Sequence, residues 1–395
     1  MRSKKRFSAG KPACAIFITL LLVSVITVQP AQARKFRVLH TFHGPNGYAP
    51  AGVLTRDSAG NLYGTTEGGG TGKCTSSGCG TAFKLDKNGK QVWLYSFHGS
   101  DGFIPDAGLL RDAAGNLFGT TVEGGKSTKV CGGIQAGGCG VVFKLDKMGK
   151  EAVLHKFTGN PDGYFPEALL VEDSAGTLYG TTVAGGVHGS GTVFKIDKTG
   201  KETVLHNFAG KPDGALPYPG VIRDAASNLY GVTSDGGTGT ACDFGCGTVF
   251  KVDKTGRETI LHNFDRGTDG ADPDSVLVAD RAGNLYGTTA AGGNGECGGT
   301  GCGTVFELSP QSNGSWKETV LYAFCSLSGC TDGETPGTGP LLRDSAGNLY
   351  GTTTIGEMCG SQDDWTAYRC SRPGTVPLCI TLDVHDLRQG RRSEE

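Results

Sequence analysis

Asp57-Ser58-Ala59-Gly60-Asn61-Leu62-Tyr63-Gly64-Thr65-Thr66 decides the fold, because the same ten-residue pattern returns five times downstream. The further copies run Asp112 to Thr121, Asp173 to Thr182, Asp224 to Thr233, Asp280 to Thr289 and Asp344 to Thr353, with Phe118, Thr177, Ser227 and Val232 as substitutions. Leu62, Leu117, Leu178, Leu229, Leu285 and Leu349 fall 51 to 64 residues apart. That period is too long for one coil of a β-solenoid and suits a propeller blade.

Working outward from the motif, the third copy carries four strand-like runs: Ala168 to Glu172, Leu178 to Thr182, Thr192 to Asp197 and Thr203 to Phe208, here named A, B, C and D. Asp-x-x-Gly-Asn links A to B. Asp-Lys-x-Gly-Lys links C to D at Asp86 to Lys90, Asp146 to Lys150 and Asp197 to Lys201, with Asp253 to Arg257 close to it. Links this short, with Gly available for φ > 0, force antiparallel hairpins and hence a meander. Strand C is apolar on both faces, with Phe194 and Ile196 on one and Val193 on the other. A sheet of that kind must be packed between two neighbours.

The ends of the array argue for a ring. Val38-Leu39-His40-Thr41-Phe42 is a lone D-type run ahead of the first A strand at Gly52, whereas the last copy has A, B and a C remnant at Gly374-Thr375-Val376 but no D. The surplus strand at one end fits the gap at the other, so no open edge is left at the closure. The expectation is an all-β, six-bladed β-propeller of four-stranded antiparallel blades, closed by an N-terminal strand that completes the last blade. Its blades span about 52–97, 108–157, 168–208, 219–264, 275–324 and 339–380 plus 36–42, in one domain over 34–380, with a disordered tail at 381–395.

Composition agrees. The 395 residues include 67 Gly, and only 19% are charged. No helical periodicity occurs beyond the first thirty or so residues, and short β-prone runs bounded by Gly, Asp and Asn fill the rest. Residues 1–33 read as a signal peptide: Arg2, Lys4, Lys5, Arg6 and Lys11 precede an apolar run from Ala13 to Val28, and Ala31-Gln32-Ala33 is a small-x-small cleavage site. The run is short of the ~20 residues that span a bilayer. Losing the five basic residues leaves 32 Lys and Arg against 39 Asp and Glu, a formal −7. Such a surface repels phosphate backbones and excludes nucleic-acid binding.

After Cys14 leaves with the leader, the cysteines fall into close pairs: Cys74/Cys79, Cys131/Cys139, Cys242/Cys246, Cys297/Cys302, Cys325/Cys330 and Cys359/Cys370, with Cys379 left over. The pairs lie in different repeats with no His at ligand spacing, so they read as local disulfides of an exported chain (periplasmic, cell-surface or extracellular) rather than zinc sites.

The motif, followed by Gly191-Thr-Val-Phe-Lys-Ile-Asp197 and Glu202-Thr-Val-Leu-His-Asn-Phe208, resembles the bacterial choice-of-anchor tandem repeat GloVer-containing proteins over roughly residues 36–355. The resemblance implies export, often with a C-terminal surface anchor, and no established activity. A looser similarity to NHL and SBBP propeller repeats bears on the fold alone. After Ile355 the pattern departs: the Gly-Gly is lost and Pro377 stands where Phe is expected.

In a meander blade the B–C loops and the D-to-next-A connections emerge on one face. That face carries the paired cysteines and six Gly-x-x-Pro connections, from Gly47/Pro50 through Gly102/Pro105, Gly163/Pro166, Gly214/Pro217 and Gly270/Pro273 to Gly333/Pro336. It is where a glycan or protein partner is expected. Asp101, Asp162, Asp213, Asp269 and Asp332, each before Gly, with Asn46 in the equivalent place, form a candidate ring of oxygen ligands for a hard cation such as Ca²⁺ or for sugar hydroxyls, against the ordinary reading of Asp-Gly as a turn pair. Asp106, Glu167 and Asp274 follow the connection Pro and are candidates for the channel mouth.

The motif aspartates from Asp57 to Asp344 read instead as turn caps. His40, His155, His206 and His262 share a D-strand slot with Tyr95 and Tyr322, which reads as packing and hydrogen bonding. Trp93, Trp316, His188 and the segment Gln362 to Tyr368 are the non-repeating residues, and a sugar ring could stack on an exposed Trp.

No Ser/His/Asp set, P-loop or His-Glu-x-x-His motif is present, so no catalytic residue, metal ligand or required cofactor is assigned. The leading expectation is a monomeric, non-enzymatic binding or scaffold module. The alternatives are an enzyme acting on extracellular polysaccharide, a lyase or hydrolase with acidic residues at the channel mouth, and a structural cell-surface component.

Overall fold

The computed structural model describes residues 38–126, 128–131, 137–293, 297–327, 330, 332–355 and 379–382; residues 93, 94, 355 and 379–382 are described by backbone alone. Six small antiparallel sheets stand in a ring, a six-bladed β-propeller. Among the described residues no helix is long and apolar enough to cross a membrane. Blade 3 is typical: Val171–Glu172 (A), Leu178–Thr182 (B), Thr192–Ile196 (C) and Glu202–Asn207 (D) pair in the order D-C-B-A.

The ten-residue motif builds the blades through four kinds of contact, not all of them present in every blade. Asp57 accepts from the backbone N–H of Asn61 at 2.9 Å, from Asn61 Nδ2 at 2.8 Å and from the Tyr63 hydroxyl at 3.0 Å, and the same set recurs at Asp224, Asp280 and Asp344. Gly180 lies beneath Phe194 of strand C, where a Cβ would stand 2.7 Å from the ring edge. Thr181 Oγ1 donates to the Pro217 carbonyl of the next blade at 2.8 Å, and Thr182 Oγ1 bonds Thr192 Oγ1 at 2.9 Å.

Neighbouring blades meet in aromatic pairs. Phe97, Phe157, Phe208 and Phe264 at the ends of D strands pack edge-on against Phe143, Phe194, Phe250 and Phe306 of the following C strands, with centroids 5.0–5.2 Å apart. All eight rings are fully buried. Each contributes about 1.5–3 kcal/mol of burial, and each pair about 0.5–1.5 kcal/mol more. Five apolar clusters result, each shared by two adjacent blades.

The closure follows the same rule. Phe42 packs on Phe83 at 4.8 Å, and the Leu39 backbone lies against Gly89 as Leu154 lies against Gly200 and Leu205 against Gly256. Asn46 Nδ2 donates to Gln91 Oε1 at 2.9 Å, where other seams bring an Asp toward a Glu. Val38–Phe42 therefore takes the D place beside blade 1. It does so by packing and makes no strand ladder among the described residues.

Two expectations need correction. The strand paired with B of the last blade is Cys379–Leu382, so the leftover Cys379 lies on a strand, while Gly374-Thr375-Val376 falls outside the described residues. The A ladders of blades 2 to 6 are also only two or three residues long. Near the axis the backbones of adjacent blades approach each other instead: Leu169 bridges Gly220 of the next blade, and a Cβ on Gly52 would collide with the Gly108 backbone.

Candidate functional site at the channel mouth

The inter-blade connections are held in a strained conformation. The residue before each connection proline, namely Ala49, Ile104, Phe165, Leu216, Asp272 and Thr335, has φ of 51–58°. Non-glycine residues avoid this region, at a cost of order 1–3 kcal/mol each. Hydrogen bonds from both sides impose it. The N–H groups of Phe165, Leu216, Asp272 and Thr335 donate to the carbonyls of Cys139, Ser190, Cys246 and Cys302, and the carbonyls of Ile104, Phe165 and Leu216 accept from Val122, Val183 and Ser234 of the following blade. Cys139, Cys246 and Cys302 are the second members of disulfides with Cys131, Cys242 and Cys297. Cys74–Cys79 and Cys325–Cys330 are also formed, and Cys359 and Cys370 lie outside the described residues. The disulfide loops thus brace the connections.

In four blades the residue after the proline lines the central channel. Asp106, Glu167, Tyr218 and Asp274, from four consecutive blades, line a channel of about 520 Å³ whose wall is completed by blades 1 and 6 and holds no basic side chain among the described residues. Burial pushes Glu167 up to about 7, with Asp106 and Asp274 adding repulsion. Burial, then Asp272, pushes Asp274 up to about 6. Burial raises Asp106 as well, and Glu67 beside it. The Tyr218 hydroxyl is pushed up by burial and by Glu167 and Asp274, so it stays protonated. Like charges held in a partly desolvated wall favour the neutral acid. Among the described residues no hydrogen bond within the chain engages the carboxyl groups of Asp106, Glu167 or Asp274, so their oxygens are open to a ligand.

The Asp-Gly aspartates are placed differently. They sit at five separate blade seams, and each is engaged by the D-strand ring beside it: His155, His206 and His262 bring Nε2 to 3.1, 3.2 and 3.3 Å from Asp162, Asp213 and Asp269, while the hydroxyls of Tyr95 and Tyr322 donate to Asp101 and Asp332. This explains why one slot accepts either His or Tyr, since both present a donor to the carboxylate. The His-x6-Asp spacing carries that signal in the sequence.

A further carboxyl, unremarked in the sequence, faces each of four such pairs from the start of the next D strand: Glu151, Glu202, Glu258 and Glu318, each pushed up to about 7 by burial. Trp316 is partly buried near Tyr230, and His188 is exposed. The Trp93 side chain and residues 362–368 lie outside the described residues. Tyr218, Glu67 and Asp272 also went unnoticed, although Tyr218 occupies the same post-proline slot as Asp106, Glu167 and Asp274.

The sequence profile of the Gloeobacter/Verrucomicrobia repeat family matches residues 129–363. No curated protein sequence matches. Among solved structures, similarity extends to a putative gluconolactonase at 11% identity, covering 54% of this chain and 64% of that one with a TM-score of 0.34, so the chain spans less than two thirds of that protein. A gluconolactonase from Xanthomonas campestris matches at 13% identity, 77% and 82% coverage and a TM-score of 0.39. A PL25 ulvan lyase matches at 9% identity, 78% and 81% coverage and a TM-score of 0.47.

Proposed function

We propose, from the premise that the chain belongs to the Gloeobacter/Verrucomicrobia repeat family, that it is an exported binding module whose channel mouth takes a neutral glycan. One contrast carries this reading: Asp106, Glu167 and Asp274 have open oxygens beside the Tyr218 ring, whereas the Asp-Gly carboxylates are bonded within their own seams. Carboxyl oxygens accept hydrogen bonds from sugar hydroxyls, and an aromatic ring offers an apolar face to stack on. A wall with acidic groups and, among the described residues, no basic one repels anionic ligands.

A second reading, acid–base action on an extracellular polysaccharide, is favoured by Glu167 at about 7 and Asp274 at about 6 in one channel. Groups poised near neutrality serve as general acid or base. Glycan-array binding combined with a reducing-end release assay tests both, on the wild type and on Asp106→Asn/Glu167→Gln/Asp274→Asn. Binding lost in the triple variant, with no new ends formed by either protein, supports the module. New reducing ends from the wild type alone favour the enzyme. No bound glycan from a broad neutral set overturns the proposal.

A further inference from the structure

The seam between blades 3 and 4 differs from the others in a way that points to a ligand. His206 Nε2 lies 3.2 Å from Asp213 Oδ2, and Glu258 approaches from strand D of blade 4. One ligand atom from each of the three lies within 4.8 Å of the others, a closeness that the corresponding sets at the other seams do not reach among the described residues. Asp213 Oδ1 is shielded from solvent without a hydrogen-bond partner, unlike the other Asp-Gly carboxylates among the described residues, and Glu258 Oε1 beside it is likewise unpartnered, as are the equivalent atoms of Glu151, Glu202 and Glu318. A buried carboxyl oxygen left without a donor is costly, and a bound cation would satisfy both.

We propose that His206, Asp213 and Glu258 form a binding site for a divalent transition-metal ion of zinc-like character, which clasps blade 3 to blade 4. The donor set of one imidazole nitrogen and two carboxylate oxygens suits such an ion. Two ligand atoms about 2.0–2.1 Å from a tetrahedral zinc stand about 3.3 Å apart, so the His206–Asp213 separation fits a shared ion as well as a hydrogen bond. The ion takes the place of the imidazole proton. With 18% of His206 and 20% of Asp213 exposed, solvent can deliver the ion and complete its coordination.

The seam between blades 4 and 5 keeps His262, Asp269 and Glu318 but does not bring one ligand atom of each within 4.8 Å of the others, and three further seams replace a member of the set or occupy its free oxygen. At blades 2 and 3, Thr158 Oγ1 donates to Asp162 Oδ1 at 2.6 Å and uses up the atom that is free in Asp213, where Ala209 replaces the threonine. At blades 1 and 2, Tyr95 stands in place of the histidine. At blades 6 and 1, the amides Asn46 and Gln91 replace both acids and bond each other directly.

Those natural alternatives supply the variants. Tag-free full-length protein is stripped with EDTA, dialysed against micromolar ZnCl₂ and analysed for bound zinc and for Tm. The expected result is one zinc per wild-type chain and a Tm rise of about 5 °C. Asp213→Asn/Glu258→Gln, which copies the Asn46–Gln91 pair, is expected to retain the metal-free Tm and bind no zinc. His206→Tyr, which copies the Tyr95–Asp101 pair, provides the same readout should the double variant fail to fold. Wild type without zinc after dialysis, or variants that bind as much as wild type, overturns the proposal.

Discussion

Replacing Glu167 by Gln tests the electrostatics of the channel mouth directly. The folded protein raises this carboxyl from 4.5 to about 7, mainly by burial and then by Asp106 and Asp274. A shift of that size corresponds to about 3 kcal/mol between the two protonation states, and channel solvent screens part of it, leaving roughly 2 kcal/mol. Because the folded value lies above the unfolded one, the native state holds its proton more tightly. The resulting stabilisation is full below about pH 4.5 and is lost as pH rises through 7. Glutamine has the same shape and never ionises. Urea denaturation of wild type and Glu167→Gln is therefore expected to give equal stability near pH 4 and a variant more stable by roughly 2 kcal/mol at pH 8. A difference between the two proteins that is the same at both pH values, or a less stable variant at pH 8, refutes the reasoning.

Gly180→Ala is expected to lower stability by about 1–3 kcal/mol in urea denaturation, because the new methyl meets Phe194 at 2.7 Å and Leu170 at 2.9 Å; alanine at an unhindered strand glycine would instead stabilise. Tyr230→Phe removes the 3.1 Å hydrogen bond to Asp224 and is expected to cost about 1 kcal/mol at pH 7. Burial works against ionisation of Asp224, but Asn228 and Tyr230 hold its carboxyl below the usual value. The stability it lends is present above the unfolded carboxylate range and fades as pH falls through the folded value, so the Tyr230→Phe deficit should shrink in acid denaturation.

The architecture was legible because period, hairpin links and the surplus D run are local patterns with one geometric solution. The motif was legible too, as far as the aspartate caps. What escaped were contacts between different repeats, Phe97 meeting Phe143 and Glu202 facing His155 and Asp162, and one side-chain contact within the motif, Tyr63 reaching back to Asp57. The channel carboxylates Asp106, Glu167 and Asp274 could be picked out by their place after proline, but the absence of internal partners for them could not. The left-handed residue before each proline was also invisible, since Ile104 and Thr335 are β-branched and propensity argues against them there.

That strained residue links the fold to the site. Six non-glycine residues held at positive φ cost more than one or two stray turns would, so the ring must recover the energy elsewhere, and the buried Phe pairs and disulfide-braced loops supply it. What the strain gains is direction. Fixing the residue before proline fixes the direction of the one after it, which lines the channel as Asp106, Glu167, Tyr218 and Asp274 in four blades. Ala51, Asp106, Glu167, Tyr218, Asp274 and Gly337 share this slot while the framework around them repeats. A ring built this way can change the chemistry of its mouth one blade at a time without touching the contacts that fold it, and for that reason the channel, rather than the repeating aspartates, is the place where this chain departs from its own pattern.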